Sequence, residues 1–183
     1  MRRIAGMNEL KEYTLEERLQ TVRDRIARAC DKSGRSPDEV EIVAVTKTFG
    51  PDVVREAWDA GLSRVGENRV QEAAAKIPAC PGGPEWHLIG HLQRNKARAA
   101  VDFFSVIHSV DSRRLAEQIA RVAAETGARP RILLEVNVSG EASKHGMSPN
   151  AGPELLEFLA TQPAVTVEGL MTMAPFCPDP EQT

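Results

Sequence analysis

A lysine closes the apolar run Glu41-Ile42-Val43-Ala44-Val45-Thr46-Lys47-Thr48-Phe49. Apolar residues occupy both alternating sets of this stretch, the pattern of a strand buried on both faces, as in a parallel sheet. Lys47 then stands at the strand's carboxyl end, where open α/β sheets and α/β barrels bind their ligands. An ammonium at the rim of a dry pocket gives up its proton more readily, and the free amine is a nucleophile toward aldehydes and other carbonyls. A lysine that ends a strand can equally lay its stem on the sheet edge and leave its charge in water. The stretch alone leaves both readings open.

Polar groups recur at the ends of the strands predicted after it. Glu67 and Asn68 follow the second, and His87 with the Gly90-His91 turn marks the third. His108, Ser109 and Asp111 mark the fourth, Asn137 and Ser139 the fifth, Met171 and Thr172 the sixth. If all six ends point one way, these groups converge on a single mouth, the setting of a small-molecule site. Lys47 is the one amine nucleophile among them. Glu67 suits proton transfer, but an ion pair with Arg64, Arg69 or Lys96 is the expected use.

Other chemistries find less support. His87 and His91 are four apart, but Gly90 and a strand end separate them, so no zinc pair and no metal ligands are expected. The sequence holds no G-x-G-x-x-G, G-x-x-x-x-G-K-[ST] or G-x-S-x-G signature. The Gly140–Gly146 loop is flanked by glycine without being a phosphate loop. Cys177 has no activating base nearby and reads as an inert thiol.

The elements that must position these groups alternate in type. Thr14-Leu15-Glu16-Glu17 reads as a capping box. It opens a helix carrying Leu15, Leu19, Val22, Ile26 and Ala29 on one face, which Ser33-Gly34 ends. After Gly50-Pro51-Asp52, a second helix buries Val53, Val54, Ala57 and Trp58 and stops at Gly61. Then come a strand at 64–68, a helix at 70–76, a proline- and glycine-rich loop at 78–84, a strand at 85–90, a short helix at 95–101 and a strand at 105–110. Asp111-Ser112 caps the next helix, whose apolar face is Leu115, Ile119, Val122 and Ala123, and Gly127 closes it. A strand at 131–138, a loop at 140–148, a helix at 153–161, a strand at 165–173 and a proline-containing tail complete the chain. Such alternation means a parallel sheet. An α/β barrel typically needs about 250 residues, so by length alone 183 residues favour an open sheet.

The bulk properties narrow the classes. With 42% hydrophobic and 27% charged residues, the composition is that of an ordinary globular domain. A net charge of −3 gives no basis for a nucleic-acid partner. No stretch approaches the roughly 20 apolar residues of a membrane span, and the Arg2-Arg3 pair is not followed by a signal's apolar region. Cys30, Cys80 and Cys177 form neither a disulfide framework nor a C-x-x-C pair, so a reducing cytoplasm is the expected compartment.

Six segments, in order, resemble one family. They are Val43–Thr48, Gly66–Glu72, Trp86–Lys96 with its W-H-x-I-G-x-L-Q-x-N-K pattern, His108–Asp111, Val136–Ser139 with Lys144-His145-Gly146, and Glu168–Met171. This is the pattern of the pyridoxal-phosphate homeostasis proteins, the YggS/PROSC family of PLP-binding proteins. The resemblance implies a (β/α)8 TIM barrel of the alanine-racemase N-terminal (fold type III PLP) kind, reversing the preference from length. It implies pyridoxal 5′-phosphate (PLP) held as a Schiff base on Lys47, Asn68 beside it, and His87 and Met171 lining the mouth more loosely. The implied role is PLP (vitamin B6) homeostasis without robust catalysis, with PLP-dependent apoenzymes as candidate recipients and a monomer or weak dimer as the state. A racemase-like enzyme, a PLP-independent Schiff-base aldolase and a ligand-free interaction module are the alternatives. A racemase needs a second base, often tyrosine, and the only tyrosine is Tyr13. Family members usually continue with S-M-G-M-S and R-x-G-x-x-[IL]-F-G segments that are expected to hold the phosphate and face the ring. Residues 1–183 are therefore expected to form a single PLP-binding domain with about six βα units, the amino-terminal portion of a longer chain; a chain ending here would hold PLP weakly.

Overall fold

Each connection between consecutive strands runs through a helix, and that sets the architecture. The computed structural model describes residues 13–141 and 144–174. The order is α1 (Leu15–Ser33), β1 (Ala44–Val45), α2 (Pro51–Asp59), β2 (Arg64–Glu67), α3 (Val70–Lys76), β3 (Glu85–Leu88), α4 (Ala97–Phe103), β4 (Val106–Val110), α5 (Arg113–Thr126), β5 (Arg131–Glu135), α6 (Gly152–Ala160) and β6 (Thr166–Met171). All neighbouring strands are parallel and lie in chain order, β1-β2-β3-β4-β5-β6. A doubly wound sheet reverses its order at a switch point. Strict sequential order without reversal is the arc of a barrel, so the open sheet favoured by length is overturned. Among the described residues the arc stays open between β1 and β6.

The helix-facing side of the sheet carries the core. Val65, Leu88, Ile107, Ile132 and Leu134 are buried there with Val54 of α2, Leu115 and Ile119 of α5, and Leu155 and Leu159 of α6. A smaller cluster of Leu19, Ala57 and Leu62 seats α1. The predicted capping box is present: Glu17 N–H donates to Thr14 Oγ1 (3.2 Å) and Thr14 N–H to Glu17 Oε2 (2.8 Å). Gly34 and Gly127 end α1 and α5 in the left-handed conformation, which only glycine adopts freely.

Three expectations need correction. Val22 of α1 and Trp58 of α2 are each 41% exposed and belong to neither buried cluster, because helical spacing marks an apolar face without supplying its partner. Ser112 occupies the N-cap of α5 but makes no side-chain cap hydrogen bond. The strand read from 41 to 49 is a two-residue ladder at a sheet edge, extended by Thr46 N–H donating to Gly66 O (3.1 Å). Its inner face is open, and Val45 is 48% exposed. The tail with Cys177 lies outside the described residues.

Truncating Ile107→Ala, in the sheet's buried face, should cost about 2–5 kcal/mol in denaturant unfolding, whereas Val22→Ala should change stability by less than about 0.5 kcal/mol.

Candidate functional site

The last peptides of β1 are held from beneath by buried charge. Glu67, the final residue of β2, is fully buried on the helix side. Its Oε1 accepts from Lys76 Nζ of α3 (2.7 Å) and from Thr46 Oγ1 (2.6 Å), while Lys76 Nζ also donates to Thr46 O (2.9 Å). The ion-pair reading of Glu67 is right in kind, but its partner is Lys76 rather than Arg64, Arg69 or Lys96. Glu67 therefore does not face the mouth. Lys76 was legible only as a helix-end lysine; nothing in its sequence neighbourhood marks it as buried.

Immediately beyond, Thr46–Phe49 is a tight turn closed by Phe49 N–H donating to Thr46 O (3.2 Å). Thr48 sits at φ 69°, the one non-glycine residue with positive φ among those described. A β-branched residue there is strained, and such strain concentrates at functional sites. The turn releases Lys47 on the inner face, the set opposite to buried Thr46. Lys47 is exposed and forms no hydrogen bond or ion pair among the described residues. The dry pocket expected around it is not built by these residues.

Register locates its neighbours. Val45 pairs with Gly66, and Gly66 with His87. Two residues on, Lys47, Asn68 and Ile89 share one level at the carboxyl ends of three adjacent strands. A Cβ on Gly66 would lie 3.0 Å from Ile89 Cδ1 and 3.2 Å from Val43 Cγ1. Gly66 thus lets two apolar side chains close over the sheet as a floor below Lys47 and Asn68. Gly90 is more constrained still: its Cβ would fall 2.4 Å from Asn68 O and 2.7 Å from Asn68 Cα. That contact sets where Asn68 stands. Ile89, Gly66 and Gly90 were not singled out from sequence as neighbours of the lysine, because register is what brings them there.

His87 lies level with Gly66, about 6–7 Å below the lysine's level at a strand rise of roughly 3.3 Å per residue. It does not line the mouth. Its Nδ1 shares a 2.8 Å hydrogen bond with His108 Nε2, and its Nε2 lies 3.3 Å from Glu85 Oε2. A carboxylate only accepts, so with both rings neutral the assignment is His108 Nε2–H to His87 Nδ1 and His87 Nε2–H to Glu85. Burial, then the charge of His87, pushes His108 down to about 4. Burial and the Arg64 charge lower His87 as well. Beneath the pair runs a charge ladder: Arg64 bridges Glu41 (2.7 Å) and Glu85 (3.3 Å), and Arg131 bridges Glu85 and Glu168. The lumen is layered, with ions at the base, imidazoles above, and an apolar floor under the amine and amide.

The remaining strand-end groups divide. Met171 ends β6, at the opposite sheet edge from Lys47, paired with Glu135. Asn137 is consumed by its own loop: Oδ1 accepts from Gly140 N–H (3.0 Å) and Nδ2 donates to Glu141 O (2.9 Å) and Lys144 O (3.3 Å). Ser109 is fully buried. His91 and Asp111 do reach the mouth, 3.5 Å apart, joined by His145 stacked on His91.

A parallel sheet in chain order, with a lysine leaving the carboxyl end of its first strand onto the inner face, is the arc of an α/β barrel with a strand-end amine at its mouth. The profile of the family described as alanine racemase, N-terminal domain, matches residues 18–183. The pyridoxal phosphate homeostasis protein of Aquifex aeolicus is 40% identical over 166 residues, covering 90% of this chain and 73% of that one. Among solved structures, PipY of Synechococcus elongatus PCC7942 with PLP bound superposes with TM-score 0.69 at 38% identity, over 83% of this chain and 71% of PipY. An alanine racemase from Clostridium difficile shares the fold, with TM-score 0.64 at 16% identity over 74% of this chain and 38% of the racemase. The chain belongs to the alanine racemase N-terminal domain family and, within it, to the pyridoxal phosphate homeostasis proteins. No helix among the described residues is long and apolar enough to cross a membrane.

Lys76→Met, which leaves Glu67 buried without its cation, should cost about 3–5 kcal/mol, and the double change with Glu67→Leu should recover much of that loss in a double-mutant cycle. Acid should act through the imidazoles. With the folded His108 depressed to about 4 against an ordinary 6.5, the unfolded chain takes up a proton first. Stability is then intact above 6.5 and falls as pH drops toward 4. His108→Gln should flatten that part of the Tm-against-pH curve.

Proposed function

We propose that this chain binds PLP covalently on Lys47 and serves in PLP homeostasis, holding and releasing the cofactor without robust catalysis. One observation carries the reading: the Lys47 amine leaves a braced strand end onto the open inner face, level with Asn68 and above the Val43–Ile89 floor. The fit to PLP rests on this donor set. An unpaired primary amine suits an aldehyde, an amide suits a ring hydroxyl, and the Gly66 cradle leaves an apolar surface for a planar ring. When bound, PLP supplies an aldehyde that condenses reversibly with a primary amine, with loss of one water.

The chain's own residues have separable tasks. Glu67 and Lys76 hold Thr46 and so fix the point from which Lys47 departs. Gly90 presses on Asn68 and sets its position. His87 and Met171 take supporting places, His87 from the layer beneath through His108 and Glu85, Met171 from the β6 edge. The relatives' names and the PLP-bound PipY structure support the same reading. A racemase would need a second proton-transfer group opposite the amine, and the sequence's one tyrosine, Tyr13, stands exposed ahead of α1.

Purified protein incubated with PLP should absorb in the visible, and borohydride followed by peptide mass mapping should place a single label on Lys47. Lys47→Ala should lose both signals while keeping its fold; a label elsewhere, or none, sinks the reading. Gly90→Ala, which forces Asn68 to move, should weaken PLP binding at least about tenfold, since a small displacement of a positioned group is that costly. Holo-protein given L-alanine should leave chirality unchanged by chiral chromatography; turnover near one per second would instead mark an enzyme.

A further inference from the structure

We propose that His91, Asp111 and His145 form a binding site for a divalent cation of the zinc class at the barrel mouth, with Glu135 as the carboxylate behind it. One ligand atom from each of the three residues lies within 4.8 Å of the other two. They come from three separate segments, following β3, β4 and β5. His91 Nδ1 is 3.5 Å from Asp111 Oδ2, and the two imidazole rings are stacked with centroids 4.2 Å apart at 12°. Two imidazoles and one carboxylate are a donor set that zinc accepts, with a fourth position left to water or another ligand.

The backbone brings each histidine in deliberately. His91 follows Gly90, whose close approach to Asn68 admits no side chain. His145 precedes Gly146, which is held at φ 110° with its Cβ position 2.6 Å from Asn137 N. That contact lets the chain rejoin the sheet, with Met147 N–H donating to Glu135 O (2.8 Å) and Asn137 N–H to Met147 O (2.9 Å). His145 is thereby returned over the strand ends.

A second observation is independent of the cluster. Glu135 is buried, and its Oε2 has no hydrogen-bond partner. Val110 pairs with Leu134, so Asp111 and Glu135 come level at the ends of β4 and β5. Two carboxylates thus face a shared space, and neither is paired with a lysine or arginine among the described residues. A cation there offsets both. The parallel rings must tilt so that their lone pairs converge, which their exposure permits. Binding would staple the loop between β5 and α6 to the ends of β3 and β4.

The inference does not rest on the PLP reading, since Lys47 and Asn68 take no part. Zinc chloride titrated calorimetrically into the wild-type chain and into Lys47→Ala should bind at one equivalent in both. Asp111→Asn and His145→Ala should each weaken it at least about tenfold, with far-ultraviolet circular dichroism unchanged. His108→Gln, in the separate imidazole layer, should leave it as it was. Cobalt(II) should give weak d–d bands without thiolate charge transfer. No stoichiometric uptake, or uptake that survives Asp111→Asn and His145→Ala, overturns the proposal.

Discussion

A carboxylate sealed under the sheet is the constraint on which the site depends. Glu67 has no access to water, and a buried charge is tolerated only when paired and hydrogen-bonded. Its two donors come from α3 and from Thr46, the residue after β1. Glu67 Oε1 meets both donors only when β1, β2 and α3 are all in place, so any slip of the edge strand strands a charge. Such a pair adds little net stability over apolar packing. What it supplies is position: the backbone carbonyl of Thr46 is held by Lys76 one residue before Lys47.

The inner face follows from the same economy of charge. Here the base of the lumen is ionic, from Glu41 through Arg64, Glu85 and Arg131 to Glu168. These groups are part-exposed and screened, so their worth as stability is small. Their effect is to hold the base polar and ordered, below the apolar surface of Val43, Val45 and Ile89 near the lysine. The imidazole pair stands between the two zones, partly desolvated, and so is held neutral near physiological pH.

Much of the architecture was legible from pattern. Helix starts and stops came from local chemistry: the Thr14–Glu17 box, proline at the start of α2, glycine after α1 and α5. These are contacts within one turn of chain, so sequence spacing encodes them. Burial was less legible. Val22 and Trp58 sit at helical spacing on apolar stripes, yet both are substantially exposed, because spacing states which face is apolar and not what lies opposite. The site divided in the same way. Lys47 and Asn68 emerged as strand-end groups, whereas the pairing of Glu67 with Lys76, the descent of His87 into the imidazole layer and the loss of Asn137 to its own loop did not.

By itself the sequence determined the elements, their parallel order and the amine at a strand end, since each depends on periodicity, capping residues or a residue type at one position. The motif blocks carried the family. Only the tertiary structure decided which residues share a level. Register sets Lys47, Asn68 and Ile89 on one level, and the close approach of Gly90 to Asn68 and of Gly146 to Asn137 sets the mouth. The physical reason is that parallel strands meet through connections of twenty residues or so, and a shift of one residue in their pairing turns every side chain to the other face. No local pattern specifies that choice; the packed core and the buried ion pair do.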